Sequence, residues 1–508
     1  MPDNATSNKR IAKNTIFLYI RMFFVLIVSL YTSRVILNTL GIEDYGIYNV
    51  VAGFVSLFGF LNATLSSSIQ RFYNYEGTVN GEQGFHQVYI TGMIIHIIIA
   101  AIIFVILETF GLWYVNKIMV VPAERLQAAN IIFQTSIISM LFIIIQIPFI
   151  GAIMAKECMN FYAIVSIVDV LLKLGIVIAL PHIPYDKLIL YGLLSLAINI
   201  VNFILYYKYC KHKFSEINFE VKYYPSLFKS ILNFSGWNLI GTFAFMLKGQ
   251  GLNMILNLFF GPAINAARGI AYQVNNAISG FSQNITIAFR PQIVNSYANN
   301  DYSRVSYLMF TESRICFMLI ATLITPIIID INYILHLWLG KTIPAQTNIF
   351  AILVLIDLLV CTLNTPCTQV VWATGKIKQY QIGSSIVSLS LLPVCWILLE
   401  LGFNAASAFI VTIIISIINQ IVCLIITNKI FKIGLYKYLK HVISPCVIFI
   451  AIVPIIPIIL HHYMNESLIR LLLIVFSDIV IAIFLCFILG INKQEKVSVY
   501  KFIKQKIK

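Results

Sequence analysis

The chain alternates long apolar runs with short polar segments along its whole length. Most of these runs are about 20 residues or longer, which is the length a helix needs to cross ~30 Å of hydrocarbon. Membrane barrels instead show alternating strands of about 10 residues, a pattern that we do not find. The pattern predicts an all-α polytopic membrane protein with about fourteen spans, at residues 14–40, 45–69, 86–110, 127–151, 158–180, 186–207, 230–259, 262–289, 305–329, 346–372, 380–400, 404–427, 438–460 and 467–490.

Composition and charge agree with this class. Hydrophobic residues make up 59% of the 508 residues and charged residues 11%, whereas soluble domains average about 25% charged residues. Most of the 35 lysines and arginines fall in alternate connections, and the opposite connections hold a small minority. Because positive loops stay cytoplasmic, we predict a multi-pass membrane protein with both termini cytoplasmic. The net charge of +15 is then a topology signal and does not indicate nucleic-acid binding.

The connections are too short to hold a soluble catalytic domain, so we do not expect an enzyme. The longest predicted cytoplasmic connection divides the chain and suggests two similar halves, as in transporters that bind substrate between repeats. The predicted domains are an N-terminal six-helix bundle (1–207), a cytoplasmic connecting loop (208–229), a C-terminal six-helix bundle (230–430), a terminal helix pair (431–490) and a basic cytoplasmic tail (491–508) lying against membrane lipids.

One predicted span carries a row of polar side chains at helical spacing. Steps of three and four place these residues on one face of the eighth span: Arg268, Tyr272, Asn275, Ser279, Ser282, Thr286 and Arg290. The simpler explanation is that hydroxyls and amides join neighbouring helices. That explanation does not account for the cations.

Six basic residues lie within predicted spans: Arg21, Arg34, Lys173, Lys248, Arg268 and Arg314. A cation at mid-bilayer costs ~2.5–3.5 kcal/mol on insertion scales, so each needs a partner or a solvated cavity. Lys173 follows Asp169 by four residues, so we predict that the two form an ion pair with a structural role. Arg314 lies near Glu312 and a predicted span end, where snorkelling suffices.

Arg21 and Arg34 either snorkel to a membrane face or point into a cavity. Lys248 lies in the middle of its apolar stretch, with glycines at 249 and 251 and no nearby acid. We expect it to face a solvated cavity. A cavity lined by arginine and lysine without matching acids suits an anion such as phosphate.

Two acids stand alone in apolar runs, Asp357 and Asp478. Each is either protonated, hydrogen-bonded or part of a coupling-ion site for Na⁺ or H⁺. The eight histidines show no metal-ligand spacing and the nine cysteines are scattered, so we predict no metal site and no cofactor.

Two regions resemble the matching regions of Wzx-type polysaccharide (O-antigen repeat-unit) flippases. They are residues 38–77, "NTLGIEDYGIYNVVAGFVSLFGFLNATLSSSIQRFYNYEG", and residues 261–298, "GPAINAARGIAYQVNNAISGFSQNITIAFRPQIVNSYA". These flippases belong to the multidrug/oligosaccharidyl-lipid/polysaccharide (MOP) superfamily. The resemblance implies two six-helix bundles in a V around a cationic cavity, plus a terminal helix pair. It also implies basic residues on helices one, two, seven and eight, which by position correspond to Arg21, Arg34, Arg71, Lys248, Arg268 and Arg290.

The resemblance implies export of undecaprenyl-diphosphate-linked oligosaccharide (O-antigen of lipopolysaccharide, capsule or exopolysaccharide) to the periplasmic leaflet by alternating access. Its partners would be lipid-linked oligosaccharide, polysaccharide polymerase and chain-length machinery. We assign substrate binding to Lys248, Arg268, Arg21, Arg34, Tyr272 and Asn275, and gating or capture to Arg71 and Arg290. The alternatives are a lipid II flippase, an ion-coupled drug antiporter, which typically has an acid in helix one or seven, and a membrane polymerase or ligase, which needs a larger outer loop.

Overall fold

The structure is a computed structural model that describes residues 4–156, 158–218, 220, 222–374 and 376–490. Side chains are described from residue 27 onward, apart from positions 60–64, 67, 78, 159, 234–241, 284, 287, 288, 291, 295, 298 and 490. The side chain of Arg21 and the predicted basic tail (491–508) therefore lie outside the described residues.

Helix accounts for 89% of the structure, and no strand occurs among the described residues. In the first half the helices are α1 (Asn4–Ser56), α2 (Phe60–Val79), α3 (Gly81–Ile106), α4 (Leu126–Ile145), α5 (Ile147–Ala155), α6 (Met159–Ala179), α7 (Lys187–Lys213) and α8 (Pro225–Phe260). In the second half they are α9 (Pro262–Ala298), α10 (Tyr302–Ile329), α11 (Ile331–Leu339), α12 (Thr347–Thr362), α13 (Asn364–Thr374), α14 (Ile377–Leu389), α15 (Leu391–Glu400), α16 (Ala405–Phe431), α17 (Leu435–Tyr438), α18 (Ser444–Ile452), α19 (Ile455–Tyr463) and α20 (Leu468–Leu485).

Ten helical segments of the described chain are long and apolar enough to cross a membrane: Gly81–Ile118, Ala123–Ala155, Asn160–His182, Lys187–Lys213, Tyr302–Ile329, Thr347–Thr374, Ile377–Glu400, Ala405–Phe431, Leu435–Tyr463 and Leu468–Leu489. Helices α1, α8 and α9, of 53, 36 and 37 residues, contain the predicted first, seventh and eighth spans, and the predicted second span (45–69) is divided between the end of α1 and the start of α2. The prediction of an all-helical polytopic membrane protein is confirmed.

Prolines explain why four of these segments are divided into two helices. The breaks between α4 and α5, α12 and α13, α14 and α15, and α18 and α19 each lie within three residues of a proline: Pro148, Pro366, Pro393 and Pro454. Proline lacks the backbone N–H and clashes with the preceding turn, so a helix kinks there. The kinks do not end the spans.

The predicted outer turn between the first two spans is shorter than expected. Within α1 only Gly41 leaves helical geometry, with φ 80° and ψ 172°, a conformation that glycine adopts without a Cβ clash. The helix resumes directly after it, so the first two predicted spans meet at a sharp bend and not at a loop.

The chain forms two compact units, Met1–Ala266 and Ala267–Lys508. In the first unit α8 packs against α1, α2 and α3; in the second, α10 packs against α12, α13 and α20. The division falls after α8, whereas the predicted boundary was the connection 208–229; the predicted domain limits stay a prediction.

The exterior of the terminal helices is apolar, as expected for contact with lipid. In α20 a buried stripe carries Arg470, Ile474, Asp478, Ala482 and Leu485. The opposite side is exposed and consists of large apolar residues such as Phe476, Ile483 and Phe484. Such a surface is stable in hydrocarbon and unfavourable in water.

Candidate functional site

Among the predicted substrate-binding cations whose side chains are described, Arg268 in α9 is the most buried. Only 7% of the residue is exposed, and its guanidinium lies over the Tyr272 ring, 4.3 Å from the centroid. The two residues are four apart, so both project from one side of the helix. A cation on an aromatic face gains ~0.5–2 kcal/mol, which partly offsets the cost of burial. The sequence therefore places a permanent positive charge at a fixed point in unit two.

The rest of the polar stripe on α9 is used in helix packing and local bonds. The side-chain amide of Asn275 faces the Val354 carbonyl of α12, with 3.4 Å between nitrogen and oxygen. The hydroxyls of Ser279 and Ser282 donate to carbonyls one turn earlier in α9. These contacts match the simpler explanation of the stripe, in which polar groups join helices.

Lys248 lies along α8 in unit one and is half-buried. A Cβ added to the next residue, Gly249, would meet no atom within 4 Å beyond the helix itself. The following residue, Gln250, is packed closely: a Cβ on Gly53 of α1 would lie 2.6 Å from its Oε1. Next to Lys248, one side of α8 is therefore packed against α1 and another side is open.

The other predicted cations differ in exposure. Arg34 in α1 is half-buried, whereas Arg71 in α2 and Arg290 in α9 are exposed. The Arg290 guanidinium lies 5.4 Å from the centroid of the Trp372 ring of α13. Exposure of Arg71 and Arg290 suits the predicted capture role, and burial of Arg268 suits a deep site.

A group of asparagines that sequence analysis missed joins α8 and the start of α9 to the preceding helices. We call Asn49, Asn253, Asn257 and Asn265 the asparagine seam. The last three are at most 2% exposed. The bonds from Asn253 to Asn49 and between Asn257 and Val120 join segments far apart in sequence, whereas the Asn49 side chain donates locally to the Tyr45 carbonyl and Asn265 donates to Asn253.

The seam is closed by paired hydrogen bonds. Asn253 donates to the Asn49 carbonyl at 3.2 Å, and Asn265 donates to the backbone and side-chain oxygens of Asn253 at 2.7 and 2.8 Å. Asn257 accepts from the Val120 N–H at 3.0 Å and donates to the Val120 carbonyl at 3.4 Å. The signal in the sequence was the spacing of four between residues 253 and 257, which puts both amides on one face of α8.

Glycines allow the helices of the seam to approach closely. A Cβ on Gly46 would lie 1.9 Å from the carbonyl oxygen of Pro262, the first residue of α9. Gly46 and Gly53 are seven residues apart and share a face of α1. The contact between this part of α1, α8 and Pro262 is therefore one of backbone against backbone.

Several intramembrane and flanking cations have acidic partners, which explains them without a substrate. Lys173 pairs with Asp169 at 2.8 Å, as predicted. Other ion pairs among the described residues join Arg125 to Asp44 and Asp186 (both 2.5 Å), Lys156 to Glu216 (2.7 Å) and Arg470 to Asp330 and Glu466.

The snorkelling prediction for Arg314 is wrong. Arg314 is only 4% exposed, and its guanidinium donates to the His441 carbonyl at 3.1 Å. That carbonyl belongs to the π-helical segment Leu439–Ile443 at the start of the terminal pair. A π-helical turn displaces the regular backbone bonds, so its carbonyls accept bonds from outside the helix.

The two predicted ion-coupling acids lie in different surroundings. Asp357 of α12 is half-buried, and the Cys361 sulfur lies 4.0 Å from its Oδ2 and 3.9 Å from the Ser416 hydroxyl. Asp478 of α20 is fully buried, and neither carboxyl oxygen has a hydrogen-bond partner among the described atoms. Within the described residues, no group of three or more histidine, cysteine, aspartate or glutamate side chains could hold a metal ion.

A cavity of about 210 Å³ with a mostly apolar lining and several polar side chains lies within unit one, between α1, α4 and α7. Its lining includes Ser56, Thr135, Ser139, Ser195 and Asn199. It contains none of the predicted cations, so it is separate from the proposed anion-binding residues.

The sequence matches no protein-family model and no curated protein. Solved structures are similar in fold. A structure described as an inward-facing multidrug resistance MATE family transporter of the MOP superfamily matches with a TM-score of 0.69 and 13% identity, over 81% of this chain and 98% of that one. The lipid II flippase MurJ, in an inward closed conformation, matches with a TM-score of 0.70 and 13% identity, over 93% of this chain and 98% of its own.

A third match is a MOP superfamily transporter from Pyrococcus furiosus, described as having a binding pocket of reversed polarity. Its TM-score is 0.57 at 12% identity, over 82% of this chain and 95% of that one. At these identities the similarity establishes the fold. The chain has a polytopic helical fold similar to that of these three structures.

Proposed function

We propose that the chain is a flippase that moves undecaprenyl-diphosphate-linked oligosaccharide repeat units from the cytoplasmic to the periplasmic leaflet. The observation that carries the proposal is the burial of Arg268 on the Tyr272 ring inside a membrane helix. Arginine stays charged in proteins, so this helix holds a positive charge at all physiological pH values. An intramembrane charge is by default a functional site, and here its natural ligand is an anion.

The charge pattern of the helices supports an anionic substrate. Residues 225–298, which form α8 and α9, contain four basic residues (Lys229, Lys248, Arg268 and Arg290) and no acidic residue. Residues 4–40 contain no acid either. A cationic drug needs an acid for binding or exchange, so the drug antiporter is disfavoured. A diphosphate is matched by guanidinium and ammonium groups.

The extent of the structural similarity also favours a flippase over a drug transporter. The MurJ match covers 93% of the chain and the MATE match 81%. MurJ itself makes a lipid II flippase the second candidate, because lipid II presents the same kind of diphosphate.

In the proposed cycle each residue has a separate role. The diphosphate binds Lys248 and Arg268, with Arg34 and Arg21 assisting, while sugars contact Tyr272 and Asn275. Arg71 and Arg290 capture the incoming headgroup. The asparagine seam then opens to release the substrate, and the lipid tail remains in the bilayer throughout.

The same proposal includes the cellular setting. The protein lies in the inner membrane with both termini cytoplasmic and passes its product to a polysaccharide polymerase and chain-length machinery. Asp357 and Asp478 are its coupling-ion candidates, for Na⁺ or H⁺.

Binding to the purified protein tests the anion site. We expect a short-chain polyprenyl diphosphate to bind the detergent-solubilised wild type, as measured by native mass spectrometry, and the neutral polyprenol not to bind. Each charge-assisted hydrogen bond contributes ~1.5–3 kcal/mol, so Lys248→Ala and Arg268→Ala should each weaken binding by about 10- to 150-fold. Lys173→Ala is the matched control, because its cation pairs with Asp169. Equal binding by all four proteins, or preference for a lipophilic cation, would refute the anion site.

A further inference from the structure

A buried carboxyl in unit two, Glu312 of α10, has no part in the proposed site. Glu312 is 0% exposed. The Gln369 side-chain nitrogen of α13 donates to its Oε1 at 3.0 Å and to the Thr286 carbonyl of α9 at 3.1 Å. The second carboxyl oxygen, Oε2, is buried without a hydrogen-bond partner among the described atoms. Three helices thus converge on an acid whose hydrogen bonding is half complete.

Such a carboxyl is costly to bury as an anion. An ionised carboxylate accepts about four hydrogen bonds in water, and a buried charge is stable only with a countercharge and several donors. Here the Gln369 amide is shared between the carboxyl and a backbone carbonyl, and the Thr286 hydroxyl is a second polar group that interacts with the carboxyl. The neutral acid avoids this cost, and its O–H can itself donate.

One cation that interacts with Glu312, Arg290, belongs to α9, the helix that also contributes Thr286 to the Glu312 site. In α9, Arg290 follows Thr286 by four residues, and in α13, Trp372 follows Gln369 by three. The guanidinium of Arg290, which lies over the Trp372 ring, is therefore one helical turn from the residues that contact Glu312. The ionisable side chains that interact electrostatically with Glu312 include Arg290 of α9, Cys316 of α10 and Cys367 of α13. Of these three, Arg290 carries the positive charge.

We propose that Glu312 is a proton-binding site whose charge controls Arg290. In the neutral state Arg290 remains on Trp372 and is available to an anion. Loss of the proton creates a buried carboxylate one turn away, which attracts the guanidinium and withdraws it from the substrate path. The link to substrate rests on the proposed function; the proton site itself does not. Glu312 lies ten residues after the first residue of α10, about 15 Å along the helix axis from that end.

Infrared difference spectroscopy on the full-length protein in lipid nanodiscs tests the proton site directly. We expect the wild type to show a carboxylic-acid C=O band that disappears on raising the pH. Glu312→Gln should lose that band, and Asp478→Asn, which removes the other isolated buried acid, should retain it. A Glu312→Gln spectrum identical to that of the wild type would overturn the proposal. A band that responds to Na⁺ at constant pH would also overturn it, since the site would then bind a metal cation.

Diphosphate binding as a function of pH tests the control of Arg290. Wild-type affinity for the short-chain polyprenyl diphosphate should fall as pH rises, whereas Glu312→Gln, a permanent neutral mimic, should keep the low-pH affinity throughout. Arg290→Ala should bind weakly and independently of pH. If Glu312→Gln keeps the wild-type pH dependence, the coupling is refuted. If the wild type binds no diphosphate, the proposed function fails, while the infrared experiment still decides the proton site.

Discussion

Substitution of Gly46 by alanine changes the closest contact in the asparagine seam. An added Cβ at this position would lie 1.9 Å from the Pro262 carbonyl oxygen and 2.5 Å from its carbonyl carbon, whereas real Cβ contacts essentially never fall below 3.0 Å. The atoms opposite are backbone, so no side-chain rotation relieves the clash. The two backbone segments must separate by about 1 Å or more.

The cost follows from two terms. Overpacking of a tight contact costs ~1–3 kcal/mol. Separation by about 1 Å also lengthens the 3.2 Å bond from Asn253 to the Asn49 carbonyl beyond hydrogen-bonding range, which removes a further ~0.5–1.5 kcal/mol. Together these terms favour the open seam by about 2 to 4 kcal/mol, a shift of roughly 30- to 700-fold in the equilibrium.

Cysteine accessibility measures this shift. Val50 is 0% exposed and lies between Gly46 and Gly53 on the same face of α1. In a cysteine-free background Val50→Cys should resist a membrane-impermeant maleimide, and Gly46→Ala should make it reactive. Gly249→Ala is the matched control, because its added methyl meets open space. Unchanged reactivity and an unchanged melting temperature in Gly46→Ala would refute the account of the seam.

Three further predictions follow from individual contacts. Asp330→Asn should destabilise the docking of α20 by ~3–5 kcal/mol, because it removes the closer of the two acids that pair with the buried Arg470 cation. The double variant with Arg470→Met should recover most of the lost melting temperature, and additive losses would contradict this. Tyr272→Phe should keep wild-type diphosphate affinity, and Tyr272→Leu should weaken it by about 2- to 30-fold, since only the aromatic face is needed; equal losses would exclude the cation–π contribution. Burial raises the pKa of Glu216, but the hydrogen bond and charge of Lys156 more than offset this, and the pKa is lowered. The stabilisation by this pair is therefore complete above the ordinary pKa of about 4.3 and is lost as pH falls below it. Proteolysis within residues 214–224 should increase on strong acidification in the wild type, and Lys156→Met should be cleaved readily at all pH values.

Features that depend on local sequence were predictable. Runs of about 20 apolar residues identify membrane helices because hydrocarbon requires all backbone bonds to be made within the segment. The Lys173–Asp169 pair follows from a spacing of four on one helix. The breaks at prolines have the same local origin.

Features that depend on contacts between distant segments were not predictable. Arg314 has a short route to a predicted membrane face, yet it bonds to a carbonyl 127 residues away. Glu312 looked like a partner for Arg314 but is bonded to Gln369 of α13. Helical periodicity gives the residues that share a face, but it does not give the neighbouring helix. For the same reason, the sequence alone could not show that two residues on one face of α9 make different contacts: Arg268 lies over the Tyr272 ring, and Asn275 faces a carbonyl of α12.

The central claim is that a cationic site in the membrane moves a lipid-linked diphosphate across the bilayer. The most direct test is to delete the protein in its host and measure which leaflet holds undecaprenyl-diphosphate-linked oligosaccharide, using an external glycan-modifying enzyme as the probe. We predict accumulation on the cytoplasmic side, reversed by the wild type and by Lys173→Ala but not by Arg268→Ala or Lys248→Ala at equal protein levels. Lipid-linked glycan that stays accessible to the external enzyme in the deletion strain, with no second exporter present, would contradict the claim.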